Sequence, residues 1–260
     1  MLVLFLLISF IASTLGAISG IGGGVIIKPS LDTFSSLNVS VISFLSSCTV
    51  LSMSTVALIR NSRRSIKLET RVSLLLAGGG ILGGLLGKHL FDMIRAVTES
   101  DKLLGSLQSG VLGSMVLGVL FYTVYKEKFS RCHIHAMVPT VLTGMVLGGI
   151  ATFLGIGGGP VNIVVLTYFF NMDSKQAAVN SLFIIFLSQI ASLIYTILQG
   201  LVPDVSLWIL VLMITGGIFG GLTGSFIIHR VSLRDVDKIF RVMLFMILVM
   251  SLFNLYQFLG

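Results

Sequence analysis

The stretch Gly20-Ile21-Gly22-Gly23-Gly24 occurs twice, returning unchanged as Gly155-Ile156-Gly157-Gly158-Gly159, 135 positions later in a chain of 260 residues. Each copy interrupts an apolar run long enough to enter a bilayer, and each is followed by a short apolar stretch. Glycine clusters weaken helices, because they lose the most backbone entropy on ordering and carry no side chain to pack. Matching breaks in the two halves of a membrane chain are the pattern of transporters that bind substrate at discontinuous helices.

Hydrophobic residues make up 55% of the chain and charged residues 10%, far from the balance of soluble domains. Several runs approach or exceed ~18 apolar residues, enough to cross a ~30 Å hydrocarbon core as helix. A soluble fold would have to bury most of these helices on every side, which a chain of this size cannot arrange. The fold class expected is therefore an all-α polytopic membrane protein. Met1-Leu2-Val3-Leu4-Phe5 has no basic region ahead of it and reads as the start of a membrane segment, not a cleaved signal. The net charge of +7 is assigned to cytoplasmic loops, so nucleic acid is not an expected partner. Cys48 lies in an apolar segment and Cys132 in a polar connection, which argues against a disulfide framework.

The first apolar run covers residues 1–19, breaks at Gly20–Gly24 and resumes over residues 25–31. A polar connection from Asp32 to Asn38 leads to segments at about 39–59, 72–90 and 103–125. After the connection 126–135 the pattern restarts: residues 136–154, the second break, 160–170, then about 176–198, 205–228 and 239–259. The repeat extends past the breaks. Gly80-Ile81-Leu82-Gly83-Gly84-Leu85-Leu86-Gly87 matches Gly217-Ile218-Phe219-Gly220-Gly221-Leu222-Thr223-Gly224, Asp101-Lys102-Leu103 matches Asp237-Lys238-Ile239, and Ser46 falls opposite Ser181. Two repeats are expected, residues 1–130 and 131–260, together forming one transmembrane domain.

Charge orients them. If the basic run Arg60, Arg63, Arg64, Lys67 and Arg71 is cytoplasmic, alternating crossings place thirteen of the seventeen basic residues inside and leave Lys28, Lys88, Arg95 and Lys102 outside; the flipped arrangement reverses that ratio. The matching connection in the second half, 199–206, carries only Asp204 and falls outside. The repeats are thus expected to be inverted, each a glycine-broken helical hairpin plus three transmembrane helices, with both termini external. The stretches after the breaks reach about half the core at ~1.5 Å per residue. Counting each broken region as one hairpin or as two segments gives eight to ten membrane segments, and the sequence leaves re-entrant hairpins and short spans both open.

The breaks carry the chemistry. A half-helix that begins at a glycine break aims its positive end, with unpaired amides, at the break, which favours an anion. Pro160 directly after Gly159 suits a first helical position. Two such ends from inverted repeats would meet at one midplane anion site, Gly22, Gly23 and Gly24 facing Gly157, Gly158 and Gly159. Close helix packing is the competing reading of the glycines, and it is the favoured one for the 80–87 and 217–224 blocks. Buried amides need partners or a cavity, which makes Asn162, Asn180 and Gln189 candidates beside the hydroxyls of Ser46 and Ser181. Lys28, four residues beyond Gly24, either reaches the anion or snorkels outward to Asp32 one turn on.

The duplicated Gly-x-Gly-Gly-Gly block, followed by Pro29 and Leu31, together with Ala177-Ala178-Val179-Asn180-Ser181-Leu182, resembles the TauE/SafE family of sulfite exporters. The resemblance covers nearly the whole chain. It implies a membrane transporter of small sulfur-containing anions such as sulfite, thiosulfate or sulfonates, in cell membranes. Val164 stands where a proline is expected opposite Pro29, and Asn180 where family members often have threonine.

Other features point away from chemistry. Cys132-His133-Ile134-His135 lacks metal-ligand spacing, and no catalytic residue, metal or cofactor is expected. Trp208 reads as an interfacial anchor. None of the ten carboxylates falls mid-span, Asp32 being assigned to the external side, so proton coupling through a membrane acid is not expected. An anion channel is the alternative to a carrier, and a homo-oligomer stays open.

Overall fold

The computed structural model describes residues 2–62, 66, 68–98, 101–125, 136–156 and 159–259. Among these residues the chain is all-helical, with ten helices. The first five are α1 (Leu2–Ser19), α2 (Gly24–Phe34), α3 (Val39–Ser62), α4 (Thr70–Thr98) and α5 (Asp101–Tyr125). The last five are α6 (Met137–Phe153), α7 (Pro160–Phe169), α8 (Ser174–Leu198), α9 (Leu207–Ile228) and α10 (Leu233–Leu259). Seven of them, α1, α3, α4, α5, α8, α9 and α10, are long and apolar enough to cross a membrane. The helices after the breaks are short: α2 has 11 residues and α7 has 10. At ~1.5 Å per residue each spans about half of a hydrocarbon core.

Local chemistry sets the boundaries. The chain leaves α1 through positive φ at Gly20 (74°) and Gly22 (84°), and leaves α6 through Gly155 (65°), a region that costs glycine nothing and other residues much. Pro160 opens α7 at its first turn, where a missing N–H is harmless. The polar turn around Asp173 is a capping box: the carboxylate accepts from the Lys175 and Gln176 amides while the Gln176 side chain bonds back to the Asp173 amide, which starts α8. One boundary differs from the sequence expectation. Helix α2 continues past Pro29 to Phe34, taking Asp32 and Thr33 into the helix. Asn254 of α10 holds this second half of α2, donating from Nδ2 to the Pro29 carbonyl at 3.0 Å and accepting from Thr33 Oγ at 2.6 Å.

The helices of the two halves of the chain interlock. Helix α4 lies along α6 and α9 along α1; α3 packs on α9 and α4 on α8; α2 meets α10 and α7 meets α5; α3 meets α8 and α5 meets α10. Exchanging the first five helices for the last five turns this set of pairings into itself. The matched glycine blocks make the closest seams. A Cβ at Gly79, Gly83 or Gly87 would collide with the Val141, Met145 or Gly149 carbonyl of α6. In the same way Gly216, Gly220 and Gly224 lie against the Leu6, Phe10 and Thr14 carbonyls of α1, while Gly217 and Gly221 lie against those of Thr49 and Met53 in α3. Small residues that let backbones touch are how helices associate where no hydrophobic force acts between them.

Two markers separate the ends of the bundle. Arg60, in the last turn of α3, and Arg230, just after α9, both sit over the Phe226 ring, at 5.2 and 3.9 Å from its centroid. Trp208, at the opposite end of α9, is 75% exposed.

Candidate functional site

The two breaks lie together. Helix α1 makes room for the first break at Gly16, where a Cβ would meet the Gly22–Gly23 backbone, and Gly23 in turn rests on Ser13. Gly22 faces Ile185 of α8, and Gly24, the first residue of α2, abuts the carbonyl of Ile156 in the second break. A Cβ on Gly24 would also come within 2.9 Å of Ser46 Oγ. Gly159 packs near Met115 of α5. Gly157 and Gly158 lie outside the described residues, as do Cys132, His133 and His135.

The breaks are not in the same state. At the first, Ser181 Oγ donates to the Gly20 carbonyl at 2.6 Å, and Ala178 lies so close that a Cβ on Gly20 would strike its backbone. The 135-residue offset that relates Gly20 to Gly155 relates Ala178 to Ser43 and Ser181 to Ser46. At the second break Ser43 is again the neighbour, its Oγ 2.5 Å from a Cβ built on Gly155. Here, however, the hydroxyls of Ser43 and Ser46 are buried and hydrogen-bond to no described residue. The first break is latched; its counterpart is not.

A cavity occupies the unlatched side. It runs from Lys88 and Asp92 of α4 and Pro203 in the α8–α9 connection to Ser43, Thr152, Gly155 and Gln189. Phe44, Phe91 and Leu193 supply apolar wall. Gln189 is 2% exposed, and its Oε1 is buried and accepts no hydrogen bond from a described residue. From Thr152 and Gln189 a narrower space continues to Ser188 and Asn162. Because Ser40 near the start of α3 lines the cavity while Arg60 ends that helix, the mouth opens on the face opposite Arg60 and Arg230.

Lys28 supplies the charge. It is 4% exposed, so it does not snorkel. Its ammonium donates to Gln108 Oε1 and, at 2.7 Å, to the Leu154 carbonyl, while Gln108 Nε2 donates to the Phe153 carbonyl at 2.6 Å. At the negative end of α6 the Leu154 carbonyl, orphaned by the break, is thereby met by a cation and the Phe153 carbonyl by the neutral Gln108 amide. A Cβ on Gly155 would lie 3.5 Å from Lys28 Nζ. Glycine at 155 therefore leaves open the space between the ammonium and Ser43 at the cavity floor.

Of the other sequence candidates, Asn180 is engaged elsewhere: its Oδ1 accepts from the Glu69 amide and Ser73 Oγ, tying α8 to the start of α4. Ser181 belongs to the latch. Ser46, Lys28, Gln189 and Asn162 gather around the second break. Gln108 was not singled out in the sequence, although the argument that selects Gln189, an amide within an apolar span, applies equally to it. Thr152 stands out in the sequence only as one of several hydroxyls within the spans, and Ser43 has no distinguishing signal among them.

The cavity thus has at its inner end the Ser43 hydroxyl, a donor bonded to no described residue, with the buried Lys28 ammonium on the far side of Gly155. The family model described as "Sulfite exporter TauE/SafE" matches residues 5–252. A curated relative, "Probable membrane transporter protein YunE" of Bacillus subtilis (strain 168), is 23% identical over 265 residues, covering 94% of this chain and 95% of its own. No solved structure matches. With seven candidate spans and a family match over nearly its whole length, the chain is a multi-pass membrane protein of a transporter family, not an enzyme family: it belongs to the sulfite exporter TauE/SafE family.

Proposed function

We propose that the protein carries small sulfur-containing anions, of the sulfite, thiosulfate or sulfonate type, across the cell membrane by alternating access between two inverted halves, 1–130 and 131–260. The observation that carries the reading is the buried Lys28 ammonium beside Gly155, across from a cavity whose Ser43 hydroxyl, like that of Ser46 next to the break, lacks a partner among the described residues. Burying a cation and leaving hydroxyls unsatisfied is costly, and an oxyanion relieves both costs at once. Export follows the description of the family model.

Two further observations support alternating access. The most extensive helix pairings are exchanged with one another when the halves are swapped, which is consistent with two repeats; their opposite orientation rests on the charge distribution. The Ser181–Gly20 latch is made while its counterpart at Ser46 and Gly155 is open. In the other state Ser46 would close on the second break and Ser181 would release the first. A sealed first break opposite an open second one favours a carrier over a channel. By the positive-inside rule the cavity mouth, opposite Arg60 and Arg230, is external.

The test is a thermal-shift screen of the purified protein with sulfite, thiosulfate, methanesulfonate and acetate. Sulfur oxyanions are expected to raise the melting temperature of the wild type, and of Lys28→Gln far less. If no anion stabilises the wild type, the reading fails.

A further inference from the structure

Three amides buried in the helices are bonded at both ends. Gln108 accepts from Lys28 and donates to the Phe153 carbonyl. Asn180 accepts from Ser73 and the Glu69 amide and donates to the Gln176 carbonyl. Asn254 accepts from Thr33 and donates to the Pro29 carbonyl. Gln189 of α8, equally buried, differs. Its Oε1 is shut off from solvent and accepts from no described residue. A half-turn of the amide exchanges its two ends, but in either setting one end is a carbonyl oxygen, which can only accept. Leaving that oxygen bare in a membrane interior costs free energy that a donor would recover.

The position of Gln189 limits what can meet it. It lines the cavity together with Ser43, Thr152 and Gly155, and it also lines the narrower space that continues to Ser188 and Asn162. Ser43 can donate to an oxyanion, with the Lys28 ammonium on the far side of Gly155. An oxyanion without a hydrogen has acceptors alone. It would satisfy Ser43 and leave the Gln189 oxygen bare beside another electron-rich atom. An anion with a hydroxyl of its own meets both.

We propose that the cavity selects a small hydroxysulfonate, whose sulfonate lies at Ser43 and whose hydroxyl donates to the Gln189 carbonyl oxygen. The inference rests on the anion-carrier reading and narrows it to one class of sulfonate. Gln189 is then the residue that sets specificity. Every anion without a donor strands its oxygen, so rejection comes from an unpaired polar group and needs no clash. A hydroxyl supplies the donor without bringing a second positive charge into a cavity whose inner end already faces a cation. The apolar wall of Phe44, Phe91 and Leu193 suits the short carbon chain between the two polar ends.

Two anions of equal charge and nearly equal size test it on the purified protein. In propane-1-sulfonate a terminal methyl stands where 2-hydroxyethanesulfonate has its hydroxyl, and both stay singly charged across the working pH range. Burial of the methyl alone would favour propane-1-sulfonate. Dissociation constants from calorimetry are instead expected to favour the hydroxysulfonate by about tenfold or more in the wild type. Gln189→Met puts an apolar side chain of similar length in place of the amide. Without ligand it is expected to melt no lower than the wild type, because no hydrogen bond is lost, and the preference for the hydroxysulfonate is expected to disappear. Gln189→Asn draws the acceptor back by one methylene and is expected to shrink the preference several-fold; it serves where the methionine variant does not fold. Equal affinities in the wild type, a preference for propane-1-sulfonate, or binding of sulfite with neither member of the pair overturns the inference and leaves the carrier reading standing. An undiminished preference in either variant also overturns it, since the hydroxyl is then recognised elsewhere. If the wild type binds neither member of the pair, nor sulfite, thiosulfate or methanesulfonate, the carrier reading fails and the inference with it.

Discussion

A single methyl group separates two functions of glycine at position 155. Alanine there would adopt φ of 65°, a left-handed conformation that costs about 1–2 kcal/mol, and would put its Cβ 2.5 Å from Ser43 Oγ and 3.5 Å from Lys28 Nζ. Gly155→Ala is therefore expected to lower the melting temperature and also to abolish stabilisation by sulfite. Gly200 has the same φ of 65° with nothing within 4 Å of a built Cβ, so Gly200→Ala should show the strain alone and keep the response to sulfite. Thermal shifts with and without the anion compare the two; equal sulfite responses would remove Gly155 from the site. These residues were unequally legible. The glycines announce themselves by duplication, and Lys28 by being a charge in a half-helix. Ser43 does not, because a hydroxyl in a membrane helix usually bonds its own backbone, as those of Ser30 and Thr49 do here. Only the fold reveals that Ser43 stands opposite Gly155 without a partner among the described residues.

Between helices, backbone contact carries the weight that side-chain packing carries elsewhere. Gly83→Ala would force a Cβ into the Met145 carbonyl, and overpacking of this kind costs about 1–3 kcal/mol. Gly118 of α5 has open space at the corresponding point, so Gly118→Ala should stabilise by up to about 1 kcal/mol through helix propensity. Melting temperatures in detergent distinguish the two, and a neutral Gly83→Ala would contradict the tightness of the α4–α6 seam. The spacing of Gly80, Gly83, Gly84 and Gly87 is readable in sequence as a packing face. Which helix it meets is not, because the spacing specifies a small surface and not the partner that covers it. The end of α2 is three residues later than the sequence suggests for a related reason: the run from Asp32 to Asn38 reads locally as a polar connection, whereas Asn254, 225 residues away from Pro29, bonds both the Pro29 carbonyl and Thr33 as the helix continues.

At the scale of the molecule, the unlatched second break and the cavity above it define one accessible face. Ser43→Cys, introduced with Cys48→Ala and Cys132→Ala, is expected to react with a membrane-impermeant thiol reagent applied from the face opposite Arg60 and Arg230, and sulfite should slow the reaction. Reaction from the Arg60 face alone would reverse the access assigned to this state. The breadth of the family match was foreshadowed by the glycine blocks, but the direction in which the site opens was not, since it depends on which of two equivalent hydroxyls has closed. The interlocking of the helices has one more consequence, for how the protein is made. Helix α1 is completed by its seam with α9, whose first residue is synthesised roughly 190 residues after α1 ends. At ~5–20 residues per second the ribosome needs on the order of ten to forty seconds to supply that partner. Through that interval Ser9, Ser13 and Thr14, which end up against α9, face lipid or an insertion factor, so the first helix to enter the membrane is among the last to reach its final place.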